Sequence, residues 1–125
     1  MMFSPLKSGN KAEKFACRFL SSKGYKIISR NFRTRFGEID IIASEKDVLC
    51  FVEVKFRKNS DFGRPEEFVD FRKQKKLLKA ARIYIARNQI SDTDIRFDIV
   101  AVEPGLNGNC TARLIRDGFE GDIYE

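Results

Sequence analysis

Residues 37–57 read GEIDIIASEKDVLCFVEVKFR, and this stretch decides the fold. Two runs rich in β-branched and aromatic residues, Gly37 to Ser44 and Val48 to Arg57, flank the polar Glu45-Lys46-Asp47, which is the pattern of a β-hairpin. Residues two apart in a strand share a face. On the second run Cys50, Val52, Val54 and Phe56 form an apolar face, while Leu49, Phe51, Glu53, Lys55 and Arg57 form one that starts apolar and ends charged. On the first run Ile39, Ile41 and Ala43 alternate with Glu38, Asp40, Ile42 and Ser44. Turn length sets the register. A two-residue turn at Lys46-Asp47 pairs Glu45 with Val48, and a four-residue loop starting at Glu45 pairs Ser44 with Leu49. Both place Asp40 opposite Glu53 and Glu38 opposite Lys55, with opposed Cβ atoms about 4.5–5.5 Å apart on one face. A three-residue loop would put Asp40 and Glu53 on opposite faces.

Two carboxylates that close repel unless a cation or a proton lies between them. A magnesium or manganese ion suits the pair, because such ions take oxygen ligands and keep several waters. The solvated face of an antiparallel sheet shows the same charged alternation, with Glu38 and Lys55 as an ordinary cross-strand ion pair, and spacing alone leaves both readings open. Composition narrows the chemistry. The 125 residues include no histidine, which removes the usual zinc ligand, the usual general base and every Ser-His or Cys-His nucleophile. Cys17, Cys50 and Cys110 are far apart, which argues against a disulfide framework or a zinc site and suits a reducing compartment. Hydrolytic chemistry here must use carboxylates, lysines, water and a hard cation.

Working outward, Ser8 to Lys23 reads as a helix with Ala12, Phe15, Ala16, Phe19 and Leu20 on one stripe. Asn10 and Glu13 resemble a capping box, and Gly24 stands where helices end. Tyr25 to Arg33 is a strand, with Tyr25, Ile27 and Ser29 on one face and Ile28 and Phe32 on the other. After the hairpin, Lys58 to Pro65 breaks the sheet. A long helix follows from about Glu66 to Asn88, its apolar face formed by Phe71, Leu77, Leu78, Ala81, Tyr84 and Ile85. Ile95 to Val102 is a further strand, Pro104-Gly105 and Asn107-Gly108 mark turns, and Arg113 to Ile115 starts a last short strand. The order α-β-β-β-α-β implies an α/β domain with a mixed sheet, formed by residues 1–125 as a single unit. Its tail from about 117 to 125 is acidic.

The net charge of +6 is uneven: residues 103–125 carry 2 basic and 5 acidic side chains, and the rest carries 22 basic and 13 acidic. A cationic body suits a polyanionic partner. On the long helix Arg72, Lys75, Lys76, Lys79 and Arg82 share a stripe, either a backbone-phosphate track or a solvated outer face. Arg30, Arg33 and Arg35 lead into Asp40, and Phe32, Phe36 and Phe62 either stack on bases or pack in the core. No apolar run is long enough to span a bilayer, so the expected location is the cytoplasm, away from membranes.

GEIDIIA (37–43), FVEVK (51–55), FGRP (62–65), KQKKL (73–77) and RFDIV (96–100) together resemble the YraN-type family of small bacterial proteins, over about Gly9 to Val102. That family is similar in fold to the restriction-endonuclease-like superfamily, including archaeal Holliday-junction resolvases, whose core is a spaced Asp followed by Glu-x-Lys. The resemblance implies that Asp40 and Glu53 are metal ligands and that the Val54 backbone carbonyl supplies a third oxygen. Lys55 would orient or deprotonate the attacking water. It also implies that Glu13 reaches the metal through water, and that Lys73 and Gln74 support the site or a phosphate. Ile39, rather than proline, precedes Asp40. The expectation is a nucleic-acid-binding protein with Mg2+- or Mn2+-dependent phosphodiesterase activity on DNA, contacted through Arg30, Arg33, Arg35, Lys73, Gln74 and Lys76. The alternatives are a non-catalytic nucleic-acid-binding module and a protein-interaction domain whose acidic pair is a salt-bridge network. A homodimer is expected by analogy with nucleases that cut two strands.

Overall fold

The computed structural model describes residues 5–56, 70–105 and 108–118. The loop from Lys58 to Pro65, including Phe62, lies outside them, as do Asn107 and the tail from residue 119. Helix α1 spans Pro5–Ser22, followed by strands β1 (Lys26–Arg33), β2 (Glu38–Glu45) and β3 (Val48–Phe56). Helix α2 spans Phe71–Arg87 and leads to β4 (Asp94–Pro104) and β5 (Cys110–Ile115). The strands form one sheet in the order β1-β2-β3-β4-β5, antiparallel except for the parallel β3–β4 pair. A parallel neighbour requires a crossover, and α2 lies in that connection. This is the expected mixed α/β sheet, with β5 extending from Cys110 rather than starting at Arg113.

The two helices cover opposite faces. Against α1, Ala12, Ala16, Leu20, Tyr25, Ile41, Ala43, Cys50, Val52, Val100 and Val102 form one buried cluster, with Phe15, Phe19, Val54 and Phe56 packed on it. Against α2, Ile39, Ile42, Leu49, Phe51, Leu77, Ala80, Ala81, Tyr84, Ile85, Phe97 and Ile99 form the other. Tyr84 anchors that side, meeting Phe32 and Phe51 edge-on at 5.2 and 5.8 Å between centroids. Each fully buried aliphatic side chain of this kind stabilises the fold by about 1.5–3 kcal/mol. Gly24 ends α1 at φ +97°, a conformation open to glycine at no steric cost.

Several local expectations are corrected. Helix α1 begins at Pro5, so Asn10 lies inside it and does not cap it. Helix α2 starts at Phe71, not Glu66, because the Asp70 carboxylate accepts from Lys73 N at 2.9 Å and caps it. Phe71 is therefore in the first turn, beyond the core, and 70% exposed. Ile28 occupies a bulge between Ile27 and Ser29 and is turned outward instead of contributing to a core face.

The largest correction concerns β2. Ile39 belongs to the α2-side cluster with Ile42, whereas Ile41 and Ala43 belong to the α1 side. The alternation thus breaks at Asp40. Across the β1–β2 ladder, Arg30 pairs with Ile41 and Phe32 with Ile39, so the residue between, Asn31, lies opposite Asp40. Asn31 has φ 55°, in the left-handed region that asparagine tolerates better than most residues. Both strands exchange faces at this point, and the exchange aims Asp40 away from the regular pleat.

Candidate metal centre

The hairpin register matches the expected one where the ladder is formed: Glu45 faces Val48 across the Lys46-Asp47 turn, and the pairs run to Ile41 opposite Val52. The next pair would be Asp40 with Glu53, but there the backbone ladder stops. The Val54 N–H donates instead to the Asp40 side chain, Oδ2 at 2.8 Å. A carboxylate replaces a backbone carbonyl where β2 and β3 part. The gap opens toward the carboxyl end of the parallel β3–β4 pair, the usual place for a ligand in an open α/β sheet.

Four carboxylates converge there. Glu13 of α1 and Glu38 and Asp40 of β2 bring carboxylate oxygens within 4.8 Å of one another. Glu53 of β3 is 3% exposed, and its proximity to Asp40 is strong enough to perturb it. Burial pushes the Asp40 carboxyl far above the usual carboxylate range, and the adjoining Glu53 carboxylate pushes it further, against the lowering effect of the Val54 N–H. Burial likewise raises Glu13, offset by Arg30 and reinforced by Glu38. The Glu13 Oε1 atom is buried without a hydrogen-bond partner, Arg30 Nη2 being 3.7 Å away. The donor set is all oxygen, with no nitrogen or sulfur. These residues fit a hard divalent cation and fit zinc poorly.

Cations surround the cluster. Lys55 Nζ is 3.5 Å and Lys73 Nζ 3.3 Å from the same Glu53 oxygen, Oε2. Lys55 shares the Glu53 face of β3, and Lys73 arrives from the first turn of α2, which the Asp70 cap holds in place. Glu38 pairs with Arg33 at 3.5 Å, and Lys55 pairs with Glu53, so the cross-strand Glu38–Lys55 ion pair of the solvated-face alternative is not the one formed. Gly37 permits the approach of the β1–β2 turn to α2: a Cβ there would lie 3.1 Å from Lys76 Cβ and 3.2 Å from Lys76 O. The structure therefore brings together Glu13, Asp40, Glu53, Val54, Lys55, Arg30, Arg33 and Lys73. Lys76 is exposed and lies against the β1–β2 turn at Gly37, and the Arg35 guanidinium lies 5.1 Å from the Phe36 ring. Gln74 N donates to the Asp70 carbonyl in the first turn of α2. Glu38 was not among the expected ligands: alternation put it on the Asp40 face, but its place opposite Lys55 gave it an ion-pair reading instead.

A second polar cluster was not expected at all. Asp98 of β4 is completely buried and accepts four hydrogen bonds. Two come from Arg96 (Nε at 2.8 Å, Nη2 at 3.0 Å), one from the Tyr25 hydroxyl at 2.8 Å and one from Asp117 N at 3.0 Å. Arg96 also reaches Glu45, which Arg116 holds from the end of β5. The Arg116 and Arg96 guanidiniums hold Glu45 well below the usual range, at about 2, against some loss of solvation. Burial and the adjoining Asp98 push the Tyr25 hydroxyl up. The signal in the sequence was the R-F-D of residues 96–98, legible only as part of a resemblance.

Comparison with known proteins gives concordant relatives. The model for the "Uncharacterised protein family UPF0102" matches residues 12–102. A UPF0102 protein of Symbiobacterium thermophilum is 46% identical over 111 residues, covering 89% of this chain and 94% of that one. One from Dictyoglomus turgidum is 49% identical, covering 75% of this chain and 80% of the relative. One from Syntrophus aciditrophicus is 40% identical, covering 95% and 93%. Among solved structures, SfsA of Pyrococcus furiosus in complex with Ca2+ aligns with 86% of this chain and 62% of its own length, at a TM-score of 0.37 and 14% identity.

Proposed function

The chain belongs to the UPF0102 family, the YraN-type group its motifs resemble, and on that premise we propose that it binds nucleic acid and hydrolyses phosphodiester bonds with a divalent metal, DNA being favoured over RNA. The observation that carries the proposal is the Asp40 carboxylate standing in for a backbone acceptor beside buried Glu53, with Lys55 at 3.5 Å. Burying Asp40 beside Glu53 is costly even with Lys55 and Lys73 on Glu53, and a metal-binding role accounts for that cost. Asp40 and Glu53, with the Val54 carbonyl, are the groups to hold Mg2+ or Mn2+, and Glu13 and Glu38 supply further oxygen atoms. Bound there, such an ion lowers the pKa of a water and stabilises charge on the phosphoryl group. Lys55 positions the attacking water and offsets negative charge, and Lys73 draws a phosphate oxygen toward the same end of the sheet. Arg30, Arg33, Arg35, Gln74 and Lys76 are assigned to binding the polyanion.

A binding module without catalysis is the second reading, favoured by one observation: Lys55 and Lys73 already neutralise Glu53 as ion-pair partners. One experiment separates the two. Wild type, Asp40→Asn and Lys55→Ala are incubated with branched, single-stranded and duplex DNA in Mg2+ or Mn2+. Cleavage by the wild type alone establishes the enzyme. Equal binding by all three without cleavage leaves the module, and failure to bind any nucleic acid at physiological salt overturns both. The edges of the sheet, β1 and β5, are where two copies would pair to cut two strands, which sedimentation with and without DNA tests. No helix among the described residues is long and apolar enough to cross a membrane. The three cysteines are free, which suits a cytoplasmic, reducing location.

A further inference from the structure

Two phenylalanines stand out of the core, Phe71 at 70% and Phe36 at 41% exposure, and cations cover both. Lys75 Nζ lies 4.7 Å from the Phe71 centroid. Around Phe36, the Arg35 guanidinium lies at 5.1 Å and Lys79 Nζ at 5.3 Å. Positions 71, 75 and 79 repeat every four residues, so both aromatic–cation groups lie along one stripe of α2. At 1.5 Å rise per residue, positions 71 and 79 are about 12 Å apart along the helix. The sequence of α2, FRKQKKLLKAARIYIAR, contains no acidic residue. A concavity of about 560 Å³ lies against Phe71, lined by Asp70, Arg72 and Lys75.

The backbone beneath each ring is held. The Thr34 hydroxyl donates to Gly37 O at 2.9 Å and accepts from Phe36 N and Gly37 N at 3.1 Å, which fixes the turn that carries Phe36. Phe71 follows the Asp70 cap directly. In sequence Phe36 precedes Glu38 by two residues, and Phe71 precedes Lys73, the partner of Glu53, by two.

We propose that this edge of the molecule, the β1–β2 turn and the outer stripe of α2, is a stacking platform for the unpaired bases of a single-stranded or frayed nucleic acid. The proposal rests on the nucleic-acid reading above and deepens it, but needs no metal. A phenyl ring offers a face and no hydrogen-bonding group, so it takes any base without sequence preference. The ammonium groups now over the rings move to the adjoining phosphates as a base arrives. The rings stand on separate supports, Phe71 on the first turn of α2 and Phe36 on the β1–β2 turn beside Lys79, and are not stacked on each other, so each addresses a base of its own. A duplex hides its base faces, and an acidic peptide uses the cations but not the rings.

The test is fluorescence anisotropy in EDTA with a labelled 15-mer oligothymidylate, a 15-base-pair duplex and polyglutamate, using the full chain. Phe36→Ala/Phe71→Ala is expected to bind oligothymidylate at least tenfold more weakly while duplex affinity stays within threefold. Phe71→Ala alone, at a site too exposed to unfold the chain, is expected to lose several-fold on oligothymidylate. Lys75→Ala/Lys79→Ala is expected to weaken both nucleic acids and to lower the single-strand salt slope by about 1.4. The platform is overturned if the phenylalanine variants, folded by circular dichroism, bind oligothymidylate like wild type, if they lose both nucleic acids equally, or if polyglutamate shows the same dependence on the rings. In the first case the nucleic-acid reading survives. If wild type binds neither nucleic acid, both fall.

Discussion

The two acidic clusters of this sheet are built on opposite terms. Asp98 is fully buried and saturated, with two bonds from one guanidinium, one from a phenol and one from a backbone amide. Asp40 has one backbone donor and a second carboxylate for a neighbour, and nearby Glu13 keeps a buried oxygen without a hydrogen bond. Both lie in the low-dielectric interior, where an unmet carboxylate is costly. The difference separates structure from readiness: Asp98 has nothing left to bind, whereas in the second cluster the cations sit on Glu53, Glu13 and Glu38 and none pairs with Asp40 among the described residues.

The comparison can be broken most forcefully at Asp98. Asp98→Ala leaves Arg96 largely buried without its main partner, and a loss of about 3–5 kcal/mol in urea unfolding is expected. A cost within error of zero would remove the structural role. The metal centre should respond in the other direction. Mn2+ at a hundredfold excess over its dissociation constant should stabilise wild type by about 2.7 kcal/mol. Glu53→Gln should abolish this gain and EDTA should reverse it; an equal gain in the variant would place the ion elsewhere. Asp40→Asn removes a carboxyl that must take up a proton to be buried beside Glu53 at neutral pH, yet can still accept from Val54 N, so the metal-free protein should become more stable by about 0.5–2 kcal/mol while losing its response to Mn2+. A destabilised variant would show that the two clusters do the same work.

The smallest effect is the acid response at Glu45. Its folded value, about 2, is below the unfolded 4.5, so it contributes stability that is present above about 4.5 and lost as the pH falls through about 2. In Glu45→Gln the unfolding midpoint should therefore fall less steeply between pH 4.5 and 2 than in wild type. Parallel curves for the two proteins would show that Arg116 and Arg96 do not hold this carboxylate in solution.

Much of the metal centre was legible because a β-hairpin converts spacing into contact. Alternation and a two-residue turn were enough to pair Ile41 with Val52 and so bring Asp40 toward Glu53. The exchange of faces at Asn31 was not legible, since a left-handed residue inside a strand leaves the hydrophobic pattern looking regular while reversing its meaning. That is why Ile39 was assigned to the wrong face. Phe71 was misplaced for a related reason: periodicity extends a helical stripe through its first turn, where no sheet lies beneath it. The Asp98 network was invisible on different grounds. Alternation assigns Asp98 to a face, but its partner Tyr25 is 73 residues away, and no local rule joins the two.

That distance has a consequence for how the chain comes apart. Tyr25 enters from just before β1, Glu45 from the hairpin, Arg96 and Asp98 from β4, and Arg116 and Asp117 from just after β5. Detaching either edge of the sheet therefore strands a charge in the interior, and partial opening is nearly as unfavourable as complete opening. In amide hydrogen exchange the Asp117 N–H, though it lies beyond the last strand, should be protected as well as the central strands. During synthesis the same wiring delays completion until residue 117 has emerged, for until then Asp98 has a buried lone pair and no donor for it.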